Sequence, residues 1–356
     1  MTDLRRLGAG TTPVRENVDR ALFEREIVPG NRPVVLKGLA DDWPATRLGK
    51  RSPQALADYI KRFSSDRPVE ILLGPPSIRG YFFYRDELGG VNFVRRQANF
   101  VAAVDKLLSF IGEASPPALY IQSAPIDDYL PQFGEENRVS LLDGTVAPRI
   151  WIGNAVTVQT HFDLSENIAC VVAGRKRFTL FPPEQIVSLY PGPLEFTLSG
   201  PPVSMVRLDE PDFERYPKFR DAIASAEVAE LGPGDALYIP YHWWHHVESL
   251  DPFNVLVNCW WSGSRPDAGS PRDCLLHALI ALRALPPRQR AVWRAVLDYY
   301  VFETHGDPAA HLPPARRGVL GEPTPERLAQ MRAMLAGALA RSARPDERQR
   351  RPAEKP

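Results

Sequence analysis

Apolar and polar positions change rhythm twice along the chain. Up to about residue 147, helical and strand spacings are mixed. Residues 1–15 read as a loose arm. Val18 to Ile27 keeps a helical apolar spacing until Pro29-Gly30-Asn31 breaks it. Pro33 to Leu36 reads as a buried strand, and Trp43-Pro44 as a turn. Leu56, Tyr59 and Ile60 recur at three to four residues, which predicts a helix over 53–63 with Pro53 at its start. Strands are expected at 69–73, 81–84 and 119–122, and an amphipathic helix at 100–111.

From residue 148 the rhythm becomes short and β-rich. Runs at 149–152, 156–162, 168–172, 178–181, 236–239, 246–250 and 254–260 are divided by turn signals such as Ala173-Gly174 and Gly232-Pro233-Gly234-Asp235. That pattern predicts an all-β sandwich or small barrel, of which the jelly roll is one kind. Residues 183–226 interrupt it with a long stretch rich in Pro and charge, which reads as a lid. After Trp261 three helical stripes follow, at 274–285, 288–302 and from Thr324 to about Ala340. The last is opened by an N-cap Thr and an N1 Pro. The expected division is therefore 1–147 as N-terminal additions, 148–262 as the β core, 263–340 as a helical region and 341–356 as a disordered tail.

Bulk properties narrow the setting. The 356 residues fit one large domain with additions, or two modest domains. Hydrophobic residues make up 44%, enough for a substantial core. Lys+Arg and Asp+Glu balance at 43 each, so nothing global argues for a nucleic-acid partner. Cys170, Cys259 and Cys274 form no CxxC pair and read as free thiols in a reducing compartment. The first residues lack an apolar leader, and no apolar run approaches the roughly 18 residues of a membrane span. The expected location is the cytoplasm, away from membranes.

Two tracts carry the candidate chemistry: Thr160-His161-Phe162-Asp163 and Tyr241-His242-Trp243-Trp244-His245-His246. His161 and Asp163, two apart, share one face of a strand. A third histidine would complete two imidazoles and a carboxylate. Such a set leaves about three of six octahedral positions on a non-haem Fe(II) for a co-substrate and oxygen. A His-x-Asp alone equally describes a surface histidine paired with an acid. Strand neighbours point to opposite faces, so His245 and His246 cannot both reach one metal. Periodicity alone does not choose among His242, His245 and His246.

Lys176 lies between Arg175 and Arg177, and an alternating strand points it away from both. An inward ammonium requires an anion, such as a dicarboxylic co-substrate. A solvated basic turn is the plainer reading. Asn167 and Asn258 are amides in apolar runs, either buried with partners or exposed on an edge strand.

These residues recur in a wider pattern. It includes His161-Phe162-Asp163, Asn167, Gly174-Arg175-Lys176-Arg177, the 181–185 and 211–217 tracts, 232–240, 243–249 and 257–260, with Tyr84-Arg85-Asp86-Glu87 and Tyr120-Ile121-Gln122 upstream. With them the chain resembles the JmjC/cupin-like branch of Fe(II)- and 2-oxoglutarate-dependent dioxygenases, in particular its asparaginyl hydroxylases, over roughly residues 20–300.

The resemblance implies a mostly β fold, a double-stranded β-helix with N-terminal α/β additions and C-terminal helices. It implies that His161, Asp163 and His245 hold Fe(II) and that Lys176 pairs with the distal carboxylate of 2-oxoglutarate. Tyr120 and Asn167 would hydrogen-bond that co-substrate, Asn258 and Trp260 would line the pocket, and O2 would be the third reactant. The C-terminal helices would pair two copies into a homodimer. The implied activity is hydroxylation of a protein side chain. The alternatives are a small molecule or a modified RNA base as substrate, or a binding module without turnover. A metal hydrolase fits worse, because only Glu166 stands near His-x-Asp as a spare base. Two departures stand out. A co-substrate-binding Thr often found three residues before the first ligand is Val158 here. The chain past residue 305 has no aligned counterpart.

Overall fold

The computed structural model describes residues 8–342, apart from Ser199 and Pro266. It divides into a first unit running to Ser262 and a second beginning at Gly263. The first unit contains, in chain order, β1 (Gly10–Thr11), β2 (Val14–Glu16), β3 (Val34–Lys37), β4 (Val69–Gly74), β5 (Tyr81–Phe82), β6 (Val94–Ala98), β7 (Ala118–Pro125) and β8 (Pro148–Gly153). There follow β9 (Thr157–His161), β10 (Glu166–Ala173), β11 (Lys176–Phe181), β12 (Glu227–Leu231), β13 (Ala236–Ile239), β14 (Trp244–Ser249) and β15 (Asn254–Trp261).

These strands form a major sheet, β2-β3-β13-β10-β15-β8-β7-β4-β6, and a minor sheet, β1-β12-β11-β14-β9-β5. The antiparallel quartets β13-β10-β15-β8 and β12-β11-β14-β9 are the jelly-roll core. The N-terminal residues extend the edges of both. The end of the expected loose arm, from Gly10 onward, supplies β1 and most of β2, which pair in parallel with β12 and β3. Two- and three-residue strands with every side chain exposed leave no apolar rhythm to read.

Alternation along β10 shows how the core is divided. Ile168, Cys170 and Val172 face outward into one apolar cluster. Ala169 and Val171 face the minor sheet in another. The strand is buried on both faces, which is why it reads as a continuous apolar run. Its outer face is covered by helices Pro44–Arg51, Pro53–Lys61 and Phe100–Ser109. Ser52 and Asn99 cap the latter two through the amides of Ala55 and Ala102, at 3.1 and 3.0 Å. Leu56, Ile60 and Leu107 are fully buried there, each worth about 1.5–3 kcal/mol of transfer free energy.

Much of the 183–226 segment covers the outer face of the minor sheet. Leu189, Val206 and Leu208 pack with Phe219 and Ile223 of helix Phe219–Ser225 against Phe162, Phe181 and Trp244. Most of this segment is therefore a packed wall.

The second unit has helices Pro271–Ala281, Pro287–Tyr300 and Pro325–Ser342. Ala309 is its one buried hydrophobic residue among those described, while Ile280, Val292, Phe302 and Met334 are each more than half exposed. The expected disordered tail lies outside the described residues from 343 onward. Among the described residues no helix is long and apolar enough to cross a membrane.

Candidate active site

The inner faces of the two sheets line a cavity of about 780 Å³ that is partly open to solvent at its mouth. On β14 the alternation sends His245 and Val247 into it, and Trp244 and His246 to the outer face. On β11 it sends Lys176 and Phe178 inward. His161, at the end of β9, pairs directly across from His245. Between these strands the register slips by one residue, so 158 to 161 on β9 spans 245 to 247 on β14. This bulge lets Val158 and His161, three apart, both line the cavity. Gln159 and Thr160 are turned outward.

His161, Asp163 and His245 offer ligand atoms that all lie within 4.8 Å of one another. His245 Nε2 is 3.5 Å from Asp163 Oδ2. Each imidazole is fixed by its other nitrogen. His161 Nδ1 is 2.8 Å from the Gln159 carbonyl, and His245 Nδ1 is 3.0 Å from the Trp243 carbonyl. A carbonyl can only accept, so both Nδ1 atoms carry the proton. Both Nε2 lone pairs are left to face the centre. Trp260 Nε1 donates to Asp163 Oδ2 at 3.1 Å and orients the carboxylate. Burial, with His161 beside it, pushes His245 down to about 4, so it is neutral at pH 7. Two imidazole nitrogens and one carboxylate oxygen facing open space suit a divalent metal with free coordination positions.

Deeper in the same cavity Lys176 is 2% exposed. The turn before it needs Gly174, at φ +71°, where a Cβ would collide with the Asn254 side chain. Lys176 Nζ donates to Ser249 Oγ at 2.8 Å, and no carboxylate pairs with it among the described residues. Burial alone pushes its pKa down to about 7. Its neighbours point to solvent as alternation requires, Arg175 onto Asp251 and Arg177 onto Glu230. Trp151 Nε1 donates to Asn258 Oδ1 at 2.7 Å, and Asn258 Nδ2 to Asn167 Oδ1 at 3.1 Å. That relay leaves the Asn167 NH2 group as a donor on the cavity side. Tyr120 packs between Phe82 and Trp151, and burial raises its phenol well above the ordinary range, so it too is a donor.

A family model for the cupin-like domain matches residues 20–266. The chain belongs to the cupin-like family. Within it, the chain falls with the JmjC-type 2-oxoglutarate oxygenases. It is 28% identical to lysine-specific demethylase 8 of Danio rerio over 248 residues, covering 67% of this chain and 55% of that protein. It is 29% identical to tRNA wybutosine-synthesizing protein 5 of Gallus gallus over 272 residues, covering 70% and 76%. A shorter stretch of 113 residues is 40% identical to HSPB1-associated protein 1 of Bos taurus, covering 31% and 23%. The chain thus spans less than a quarter of that last relative's length.

In this cupin-like chain the cavity gathers His161, Asp163, His245, Lys176, Tyr120, Asn167, Asn258 and Trp260. Two other candidates stand apart. His242 lies outside the strand at φ +66° and stacks on Phe162, with ring centroids 4.0 Å apart. Glu166 faces the other way, accepting from Tyr238 Oη at 2.7 Å and from the Tyr241 amide at 3.2 Å. It is not poised as a base beside the histidines. Sequence reasoning missed Trp151, Ser249 and Arg149. The first and last alternate inward along β8, a signal that the run 149–152 contains once its facing is known.

Proposed function

We propose that the protein is an Fe(II)- and 2-oxoglutarate-dependent oxygenase that hydroxylates a protein side chain. One observation carries this reading. Two imidazole nitrogens and a carboxylate converge on the wall of a cavity whose depth holds a lysine with no acid partner among the described residues. His161, Asp163 and His245 would hold the metal, and the Gln159 and Trp243 carbonyls keep both rings in the binding tautomer. Lys176 supplies the charge for the distal carboxylate of 2-oxoglutarate. Its hydrogen bond to Ser249 leaves donor capacity for that anion. Tyr120 and Asn167 donate to the co-substrate, while Asn258 and Trp260 hold the surrounding wall. Val158 puts a methyl face where a hydroxyl is common in the family, so those two donors carry more of the polar recognition. When bound, iron with 2-oxoglutarate and O2 supplies oxygen insertion into a C–H bond, releasing succinate and CO2.

The protein's own part is to orient these reactants and exclude water. Phe178, Ile239, Val247 and Leu256 give the depth of the cavity an apolar lining. Thr197, Leu198, Gly200 and Pro201 line its mouth, and this stretch is tied down by Tyr84 Oη on the Phe196 carbonyl at 2.6 Å and Arg95 Nη2 on the Leu198 carbonyl at 2.5 Å. Within the 183–226 segment, this short stretch beside the cavity is the part suited to act as a lid. The exposed apolar faces of the second unit suit pairing with a second copy. Buried free Cys170 and Cys259 suit a reducing, cytoplasmic setting.

A modified tRNA base is the second reading, favoured by the match to the Gallus gallus protein, which covers 76% of that protein. Balanced charge weighs against it. The test is succinate formation with host lysate separated into protein and RNA fractions, followed by mass spectrometry. A protein gaining one oxygen atom supports the first reading. A nucleoside gaining it supports the second, and no succinate with either fraction defeats both.

A further inference from the structure

We propose that Arg149 selects the substrate, a polypeptide that presents an acidic side chain to the cavity mouth. This rests on the oxygenase reading above and specifies what its site accepts. Arg149 lies on β8 and, with Trp151, faces the cavity. Its Nε is anchored to Ser123, 2.6 Å from Oγ and 3.1 Å from the carbonyl. Ser123 is held at φ +51°, a left-handed conformation that serine rarely adopts. It sits where the β7–β8 register slips between Ile121 and Ala124. Such a bulge re-aims side chains, and strained residues of this kind gather at binding sites.

The guanidinium lies 5.7 Å from the ring centroid of Trp260, within cation–π range. Trp260 in turn donates to Asp163. Arg149 is therefore one aromatic ring away from a candidate metal ligand. No carboxylate pairs with it among the described residues. Asp128, the acid that acts on it electrostatically, is taken by Arg67 at 2.7 Å. With Nε engaged, Nη1 and Nη2 form a fixed fork that matches a carboxylate.

The neighbouring cation at the mouth differs. Arg95 is closed off by Glu70 at 2.6 Å and by the Leu198 carbonyl. The lining carries Arg95, Arg149 and Lys176 against Glu70 and Asp163. A nucleic-acid backbone needs several uncommitted cations. A single carboxylate needs one fork, and the mouth has one.

The test uses the full chain loaded with Mn(II) and saturated with 2-oxoglutarate, read by paramagnetic broadening of probe protons. The probes are the capped tripeptides Gly-Asp-Gly and Gly-Asn-Gly and the dinucleotide UpU with a 5′ phosphate. The aspartyl peptide should be broadened at about tenfold lower concentration than the asparaginyl one, the difference one charge-assisted contact gives. Arg149→Met should erase the preference and Arg149→Lys should keep part of it, with 2-oxoglutarate titrations showing that each variant retains its site. Equal or absent broadening by the aspartyl peptide, or a preference that survives Arg149→Met, overturns the proposal. So does Arg149-dependent binding of the dinucleotide ahead of the peptide. Failure of the wild-type protein to bind 2-oxoglutarate overturns the oxygenase reading and this inference together.

Discussion

His245 and His246 are adjacent on β14 and equally buried, yet they belong to opposite faces of the minor sheet. His245 faces the cavity, opposite His161 and 3.5 Å from Asp163. His246 faces the outer layer, where its ring packs on Tyr81 and its Nδ1 lies 3.4 Å from Thr160 Oγ1. Burial holds it neutral, pushed down to about 3. Around it Gln159 accepts from Tyr81 Oη at 2.7 Å and donates to the Ser204 and Val206 carbonyls at 2.6 and 2.9 Å. On the outer face Gln159 thus fastens the 203–208 stretch to the sheet. The inner face keeps imidazole nitrogens turned to its centre and a lysine whose one hydrogen bond, to Ser249, leaves further donors. Strand parity plus one bulge separates a histidine of the outer packing layer from a candidate metal ligand.

The contrast can be broken from either side. The largest effect is expected from Asp163→Ala, which should reduce substrate-coupled succinate formation to background while circular dichroism reports an intact fold. Next is Lys176→Met. Removing one partner of a buried charge pair should weaken 2-oxoglutarate binding by thirtyfold or more, following a cost of about 2 kcal/mol or above. The same change should raise the thermal midpoint of the ligand-free protein, because an unpaired buried amine is replaced by an apolar chain of similar shape. Calorimetry reads both, and a fall in both would show that Lys176 is structural.

A pH series sharpens the same point. Lys176 is depressed from 10.5 to about 7 by burial. Below pH 7 it is charged whether the chain is folded or not, and the burial penalty is fully present. Between 7 and 10.5 only the unfolded chain holds the proton, so this group makes the ligand-free protein more stable as pH rises through that window. Co-substrate affinity should move the other way. Above pH 7 binding must take up a proton, and the Kd should rise by up to about tenfold per pH unit. Titration calorimetry in buffers of different ionisation enthalpy measures that uptake. The smallest effect is on the outer face. His246→Ala should cost about 2 kcal/mol in denaturant unfolding and leave metal affinity unchanged.

Much of this was legible in the sequence, for identifiable reasons. The central strands are apolar and bounded by Gly and Pro, and Lys176 between two arginines obeys simple alternation. Helix Pro44–Arg51 was hidden, because Trp43-Pro44 reads as a turn and few of its residues are apolar. In the folded chain Pro44 is its N1 residue, and Gly49 lets it press on β10, where a Cβ would collide with the Val172 carbonyl. Strand β6, Val-Arg-Arg-Gln-Ala, is an edge strand with almost every side chain exposed, so it shows no alternation. The third ligand could not be chosen by periodicity, because facing depends on pairing with β9. Arg149 escaped notice because its meaning comes from a bulge at Ser123, 26 residues away.

The central claim is that His161, Asp163 and His245 share one iron with 2-oxoglutarate beside it. It is tested most directly by anaerobic titration with Fe(II) and 2-oxoglutarate, followed by absorbance, on the wild-type protein and on His245→Ala and His246→Ala. The expected result is a metal-to-ligand charge-transfer band in the wild type and His246→Ala, and none in His245→Ala. A band that survives loss of His245, or none in the wild type, would contradict it.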